Sequence, residues 1–181
     1  SKYKMFNAEF YTQNRKKLKQ AVGNELIIIA GNGLLQRAGD TNFAFRQDSN
    51  FLYVTGISEP DLVLVINPND NSERIIVPHK DEIAVIFDGD ANYDELKAVS
   101  GVSTIMSEHE GWDYIKSCAT KKAVHFNMPS EPKSRGLFTN PARAAVHARL
   151  TKIGAKPKDI RPIMASLRMI KQPQEITAIT Q

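Results

Sequence analysis

The sequence predicts an α/β domain in which a mixed β-sheet is flanked by helices, and three features carry that prediction. Two runs, Glu25-Leu26-Ile27-Ile28-Ile29-Ala30 and Leu62-Val63-Leu64-Val65-Ile66, are apolar at consecutive positions, the pattern of strands covered on both faces. Segments with helical spacing of apolar residues alternate with such runs. One pair of strand candidates is separated only by the turn-forming stretch Asn67-Pro68-Asn69-Asp70-Asn71, which makes a hairpin and therefore a sheet that is not purely parallel.

The elements follow in order. Asn7 to Val22 reads as an entry helix, with Phe10, Leu18 and Ala21 or Val22 on one stripe. The basic run Arg15-Lys16-Lys17-Leu18-Lys19 is expected on the opposite, solvated face, and Gly23-Asn24 ends the helix. Glu25 to Ala30 is the first strand. Gly31-Asn32-Gly33 then reads either as a phosphate-cradling loop or as a tight turn needing positive φ. The dinucleotide pattern wants a third glycine where Gln36 stands, and no P-loop lysine follows.

Asp48 or Ser49 caps a short helix through Tyr53, closed by Gly56. Asp61 to Ile66 and Arg74 to Val77 are the hairpin strands, while Ile83 to Phe87 fits a short strand or a helical segment equally well. Asn92 caps a helix to about Val99, and Ser103 to Met106 is a short strand. Ser107 to Ala119 carries helical spacing through Trp112, Ile115 and Ala119, and Ala123 to Asn127 is another strand. Asn140-Pro141 starts a helix that reaches Ile153, with Gly154 at its end. Ile160-Arg161-Pro162 breaks the pattern before a last short helix, Ile163 to Ile170.

Composition bounds the function classes. The chain has 181 residues, enough for one domain with a sizeable core, and 41% apolar with 24% charged residues is the balance of a globular protein rather than a disordered or fibrous one. No apolar run approaches the roughly 20 residues that cross a bilayer. The amino terminus lacks signal-peptide features, and the lone Cys118 cannot form an internal disulfide, so a cytoplasmic setting is expected. Cys118 falls at helical spacing with Trp112 and Ile115 and reads as a small buried hydrophobe. The net charge of +4 is mild, and a nucleic-acid surface would want a longer basic stripe with interleaved aromatics, so the basic run reads first as a solvated helix face.

Chemistry-bearing motifs are absent. His79, His109, His125 and His147 are widely spaced, and none stands in His-Glu-x-x-His. Glu108-His109-Glu110 points its side chains in different directions, and Asp88-Gly89-Asp90 reads as a turn without the downstream ligands of a calcium loop. There is no Gly-x-Ser-x-Gly elbow. No catalytic residue and no metal ligand is expected in this chain.

One block has an order that strand or helix patterning does not explain. Arg37-Ala38-Gly39-Asp40 is followed by Phe43-Ala44-Phe45-Arg46-Gln47-Asp48-Ser49-Asn50-Phe51-Leu52-Tyr53-Val54-Thr55-Gly56 and then by Ile57-Ser58-Glu59-Pro60-Asp61. It resembles the R-x-x-D and F-R-Q-x-S-[DN]-F-x-Y-[LV]-T-G-[FI]-x-E-P-[DE] signatures of the amino-terminal domain of Xaa-Pro aminopeptidases (aminopeptidase P). Phe87-Asp88-Gly89 stands where that family often has Trp-x-Gly. Leu167-Arg168-Met169-Ile170-Lys171-Gln172-Pro173-Gln174-Glu175-Ile176 is similar to the junction leading into the catalytic domain, a motif shared with prolidases and creatinase relatives.

The resemblance implies a creatinase-like amino-terminal domain over 1–171, with 172–181 starting the linker or first helix of a pita-bread catalytic domain. That second domain would bind two divalent metal ions, commonly manganese, and the whole enzyme would release an amino-terminal residue that precedes proline. The implied partners are this chain's own catalytic domain, further copies in a homo-oligomer, and a proline-containing peptide, with no nucleic acid and no membrane. Asp40 and Phe87 match positions expected at the substrate cleft. Arg37, Arg46, Gln47, Ser49, Asn50, Phe51, Tyr53, Thr55, Gly56, Glu59 and Pro60 are the motif's structural residues, with Arg46 expected to organise the loop together with Asp48. Two alternatives stay open: the amino-terminal domain of a prolidase, and a free-standing nucleotide or nucleic-acid binding module.

Overall fold

A computed structural model describes residues 6–34, 44–79, 92–130 and 140–170. Along the chain it contains α1 (Ala8–Val22), β1 (Leu26–Ala30), α2 (Ser49–Thr55), β2 (Val63–Asn67), β3 (Ser72–Ile76), α3 (Tyr93–Ser100), β4 (Thr104–Met106), α4 (Glu108–Ala119), β5 (Ala123–Phe126), α5 (Pro141–Lys152), β6 (Lys156–Asp159) and α6 (Arg161–Arg168). The six strands form one mixed sheet in the order β4-β3-β2-β1-β5-β6. β2 runs antiparallel to both β1 and β3, whereas β1 with β5, β3 with β4 and β5 with β6 are parallel. Five strands therefore point one way and β2 points the other.

Helix starts follow local chemistry. The side chains of Asn7, Asp48, Asn92, Ser107 and Asn140 each accept a hydrogen bond from a first-turn amide of the following helix. Gly56 closes α2 in the left-handed conformation, φ 70°, and its N–H reaches back to the Leu52 carbonyl. Its missing side chain also matters, because a Cβ there would lie 2.3 Å from the Tyr11 ring.

β1 is central, so alternate residues supply two cores. Ile27 and Ile29 join Leu64, Ile66 and Ile75 beneath α1, α2, α3 and α6. Leu26, Ile28 and Ala30 join Val63, Val65 and Ile76 against α4 and α5 through Trp112, Ile115 and Leu150. Burial on both faces is why β1 and β2 read as unbroken apolar runs.

Several expectations change. Strand β6, Lys156-Pro157-Lys158-Asp159, is absent from the sequence reading; it is a charged, proline-bearing edge, the composition that edge strands use to discourage further pairing. Helix α6 starts at Arg161 rather than Ile163, with Pro162 accommodated in its first turn. The Ile83 to Phe87 element lies outside the described residues, as does Asp88-Gly89-Asp90. Among the described residues no helix is long and apolar enough to cross a membrane.

The largest correction concerns Arg15, expected in solvent and found fully buried. Its Nη1 donates to the carbonyls of Val54 (2.9 Å) and Ser100 (2.7 Å), its Nη2 to Thr12 Oγ1 (3.1 Å), and its Nε to Glu73 Oε1 (3.0 Å). Asn14 beside it donates to the Tyr53 carbonyl at 2.8 Å. Helix C-termini leave carbonyls without intrahelical donors and carry partial negative charge. Residues 14 and 15 of α1 therefore cap the last turns of α2 and α3, and Glu73, also held by Lys19 at 2.7 Å, balances the buried charge. Burial lowers the guanidinium's pKa and Glu73 works against that.

Candidate functional site

The register aligns Ala30 with Val63, Val63 with Ile76 and Ile76 with Met106, so the parallel strands finish at one end of the sheet. Binding residues of open α/β sheets collect beyond this end. Three connections leave here: from β1 toward residues 35–43, from β3 toward 80–91, and from β5 toward 131–139. Asp40 and Arg37 belong to the first of these segments and Phe87 to the second. All three lie outside the described residues, so the observable part of the site is the floor from which those segments depart.

That floor is a polar hub built on Gln47 and Asp48. Gln47 Oε1 accepts from the backbone N–H of Asn32 (2.9 Å) and of Asp48 (3.0 Å). Gln47 Nε2 donates to the carbonyls of Ile57 (3.0 Å) and Glu59 (2.9 Å). One amide thus joins the loop after β1 to the loop before β2. Asp48 Oδ2 accepts from the N–H of Asn50 and Phe51 and from Asn127 Nδ2 (3.0 Å). Asn127 in turn pairs with both the N–H and the C=O of Ala30, each at 2.8 Å, and so extends the ladder beyond the last residue of β5.

Two residues of the α5 region close the hub from the other side. Asn140 Oδ1 accepts from the Gly33 N–H (2.9 Å) and from the first turn of its own helix, while its Nδ2 donates to the Gly33 carbonyl (3.2 Å). Arg143 donates from Nε to Asn32 Oδ1 (3.1 Å) and from Nη1 to the Met128 carbonyl (3.1 Å), and Nη1 lies 3.7 Å from Asp48 Oδ1. The guanidinium that meets Asp48 is therefore Arg143. Arg46 is exposed, and it is its backbone carbonyl that is held, by Asn32 Nδ2 at 3.1 Å.

The glycine loop is neither of the two things expected of it. Gly31 and Gly33 do not have positive φ. The N–H groups of Gly31, Asn32 and Gly33 donate to the Leu62 carbonyl, Gln47 and Asn140 respectively, which leaves no cradle for a phosphate. The glycines serve close approach instead: a Cβ on Gly31 would stand 3.0 Å from Gln47 Oε1, and one on Gly33 2.6 Å from Asp61 Oδ1.

The other motif residues sit around the hub. Ser49 is exposed at the start of α2, while Asn50, Phe51 and Tyr53 are buried. Thr55 Oγ1 donates to the Phe51 carbonyl and accepts from the Ile57 N–H, tying the end of α2 to the next loop. Glu59 contributes its carbonyl to Gln47, and Pro60 shapes the turn into Asp61. Sequence reasoning missed Asn127 and Arg143. A polar residue just past a strand end was the only local signal for the first, and the second has none.

Beside the hub lies a groove of about 200 Å³, lined by Val63, Ile76, Pro78, Trp112, Val146 and the charged residues Asp61, Glu108 and Arg149 among others. Asp61 is exposed at the edge of the groove, and partial desolvation there, with the nearby Glu108 carboxylate second, pushes its carboxyl above the usual value. Arg149 stacks over the Trp112 ring at 4.1 Å and pairs with Glu108 at 3.3 Å.

The remaining titratable groups are used locally. His125 meets Glu25 at 3.1 Å, His109 meets Asp113 at 3.4 Å, and His147 stacks on Phe126. Burial, with Asp70 second, pushes the Cys118 thiol up to about 11, so it stays protonated at neutral pH. Among the described residues no group of three or more His, Cys, Asp or Glu side chains is arranged to hold a metal ion.

Comparison with known proteins adds three findings. A family model described as the aminopeptidase P N-terminal domain matches residues 11–125. Human Xaa-Pro aminopeptidase 3 is 27% identical over 190 residues, covering 92% of this chain and 36% of that protein, and Xaa-Pro aminopeptidase of Escherichia coli K12 is 25% identical, covering 94% and 40%. Among solved structures, the low-pH form of Escherichia coli aminopeptidase P superposes with a TM-score of 0.71 at 22% identity, over 95% of this chain and 41% of that one. The chain thus spans about two fifths of the length of the relatives it matches.

Proposed function

The chain belongs to the aminopeptidase P N-terminal domain family, and from that premise we propose that it is the non-catalytic amino-terminal domain of a metal-dependent Xaa-Pro aminopeptidase. In this reading, residues 1–171 form the domain and 172–181 lead into a catalytic domain that supplies the hydrolytic chemistry. The bound metal ions, manganese by resemblance, would activate water there. The contribution of this chain is to hold segments that wall the substrate cleft, in its own subunit or in a neighbouring copy of a homo-oligomer. A reducing, cytoplasmic setting suits its single thiol.

The observation that carries the reading is topological. The family match covers Gln47 and Asp48 at the centre of the hub, while Asn127, Asn140 and Arg143 lie beyond its last residue, and the segments bearing Asp40 and Phe87 leave the same end of the sheet as that hub. Gln47 ties residues 32, 57 and 59 together, so the base of the Asp40 segment is fixed on both sides. A segment that walls a shared cleft needs such a fixed base.

The test is peptide hydrolysis with manganese. The full-length protein carrying this chain should release the first residue of an Xaa-Pro-Xaa tripeptide, and residues 1–181 alone should not. Turnover by residues 1–181 would overturn the non-catalytic assignment, and full-length protein inert toward Xaa-Pro peptides would overturn the enzyme assignment. Hydrolysis of Xaa-Pro dipeptides without tripeptides would move the chain to the prolidase branch.

A further inference from the structure

The groove beside the hub has charge that its own residues do not balance. Arg149 and Glu108 satisfy each other at 3.3 Å, and the Glu108 carboxylate also accepts from the His79 N–H at 3.2 Å. Asp61 is the third charged residue lining the groove, and among the described residues no cation stands within ion-pair distance of it. Its backbone is fixed: φ is 64°, its N–H donates to the Asn32 carbonyl at 3.0 Å, and the next carbonyl, of Leu62, accepts from Gly31. Gly33 leaves room for the carboxylate, whose Oδ1 occupies the space a Cβ would crowd. Next to this group the walls are apolar, with Val63, Ile76, Pro78, Trp112 and Val146.

A carboxylate held at the rim of an apolar slot recognises an ammonium carried on an apolar body, because the charge finds a partner and the body leaves water together. A neutral ligand seated there would take water from the Asp61 carboxylate without compensating it, and an anion would meet two carboxylates against one guanidinium that Glu108 already pairs. A volume of about 200 Å³ admits one residue of modest size rather than a folded partner.

We propose that the Asp61 groove binds the amino terminus of a peptide whose first residue is apolar, with the ammonium on the Asp61 carboxylate and the side chain against Trp112 and Val146. The ammonium chemistry rests on the groove alone. The choice of a peptide as its carrier rests on the proposed function, which supplies peptides with free amino termini.

Trp112 is the only tryptophan in the chain, so its fluorescence reports on this groove and on nothing else. Residues 1–181 are titrated with leucinamide at pH ~6.5, where an α-amino group of pKa about 8 is charged. Parallel titrations use N-acetyl-leucinamide and N-acetyl-lysinamide. The expected result is a saturable change with leucinamide and about tenfold weaker binding of the acetylated leucine compound. Asp61→Asn should weaken leucinamide by a similar factor. Asparagine tolerates the left-handed backbone as aspartate does, so that variant should keep its melting temperature.

No saturable response to leucinamide, or an equal response to the acetylated form, would overturn the site. N-acetyl-lysinamide binding as tightly as leucinamide would overturn the assignment to an amino terminus. These outcomes are read on the isolated chain and leave the turnover test of the full-length enzyme standing, so the two readings fail separately. Folding of the isolated chain and of the variant is monitored by the same thermal melt, and a chain that does not melt cooperatively is replaced by the full-length enzyme bearing other tryptophans mutated to phenylalanine.

Discussion

Two polar networks are buried toward opposite ends of the same sheet, and they are built differently. The one around Arg15 sits by the first residues of β3 and joins three helices through a single guanidinium whose bonds reach 39, 58 and 85 residues along the chain. It leaves nothing for a ligand, since every contact is a helix carbonyl, a hydroxyl or Glu73. The one around Gln47 and Asp48 sits where the parallel strands end, is made mostly of neutral amides, and ties together the loops from which the Asp40 segment departs. Charge at one end sets stability, and amides at the other set position. The two meet on α2, whose seven residues are too few to hold a helix unaided. Asp48 caps its first turn, while Asn14, Arg15 and Gly56 close its last.

The comparison breaks most visibly at Arg15. Arg15→Met keeps the volume and removes every donor, leaving two helix carbonyls unpaired and Glu73 with Lys19 as its remaining partner. The expected cost is about 3–5 kcal/mol of unfolding free energy, read as a lower denaturation midpoint. A loss under about 1 kcal/mol would mean that water or a repacked Lys19 takes over, and that the network is not a stabilising element.

Gly56→Val comes next. A side chain at φ 70° is strained by roughly 1–2 kcal/mol, and its Cβ would overlap the Tyr11 ring, so a total of about 2–4 kcal/mol is expected in chemical denaturation. An unchanged midpoint would show that α2 need not end where it does.

Asp48→Ala should cost less, about 2 kcal/mol, from the lost cap and the one Asn127 N–H left without its acceptor. Asp48→Asn should recover most of it, because asparagine caps equally well. If the asparagine variant is as damaged as alanine, the 3.7 Å approach of Arg143 matters more than the cap.

How much of this was legible can be said residue by residue. Caps were in part, because asparagine or aspartate before an apolar period has a local cause: Asn92 and Asn140 cap as read, Asp48 rather than Ser49 caps α2, and Asn7 and Ser107, read only as helix starts, prove to be caps as well. The central strands were, because both faces are covered. Arg15 was not: its spacing is that of a solvated face, and its carbonyl partners lie far away in sequence. β6 was not, since an edge strand carries no two-faced apolar pattern. Of the site, the family-like block named Gln47 and Asp48, while Asn127, 79 residues beyond Asp48, and Arg143 were brought in by the fold alone.

The smallest effect is chemical. With its thiol pushed up to about 11, Cys118 should react with iodoacetamide more slowly at pH 8 than a free thiol, the rate still climbing beyond pH 9. A plateau by pH 9 would place the thiol in solvent rather than against α4's buried side.

The central claim is that this chain shapes a cleft whose chemistry lies elsewhere, and the most direct test is Asp40→Ala in the full-length enzyme. Tripeptide hydrolysis and thermal melting are followed side by side. The account predicts kcat/KM down by about tenfold or more, worth roughly 1.4 kcal/mol, with the melting temperature unchanged. Undiminished turnover, or a fall in turnover that only tracks a fall in melting temperature, would contradict it.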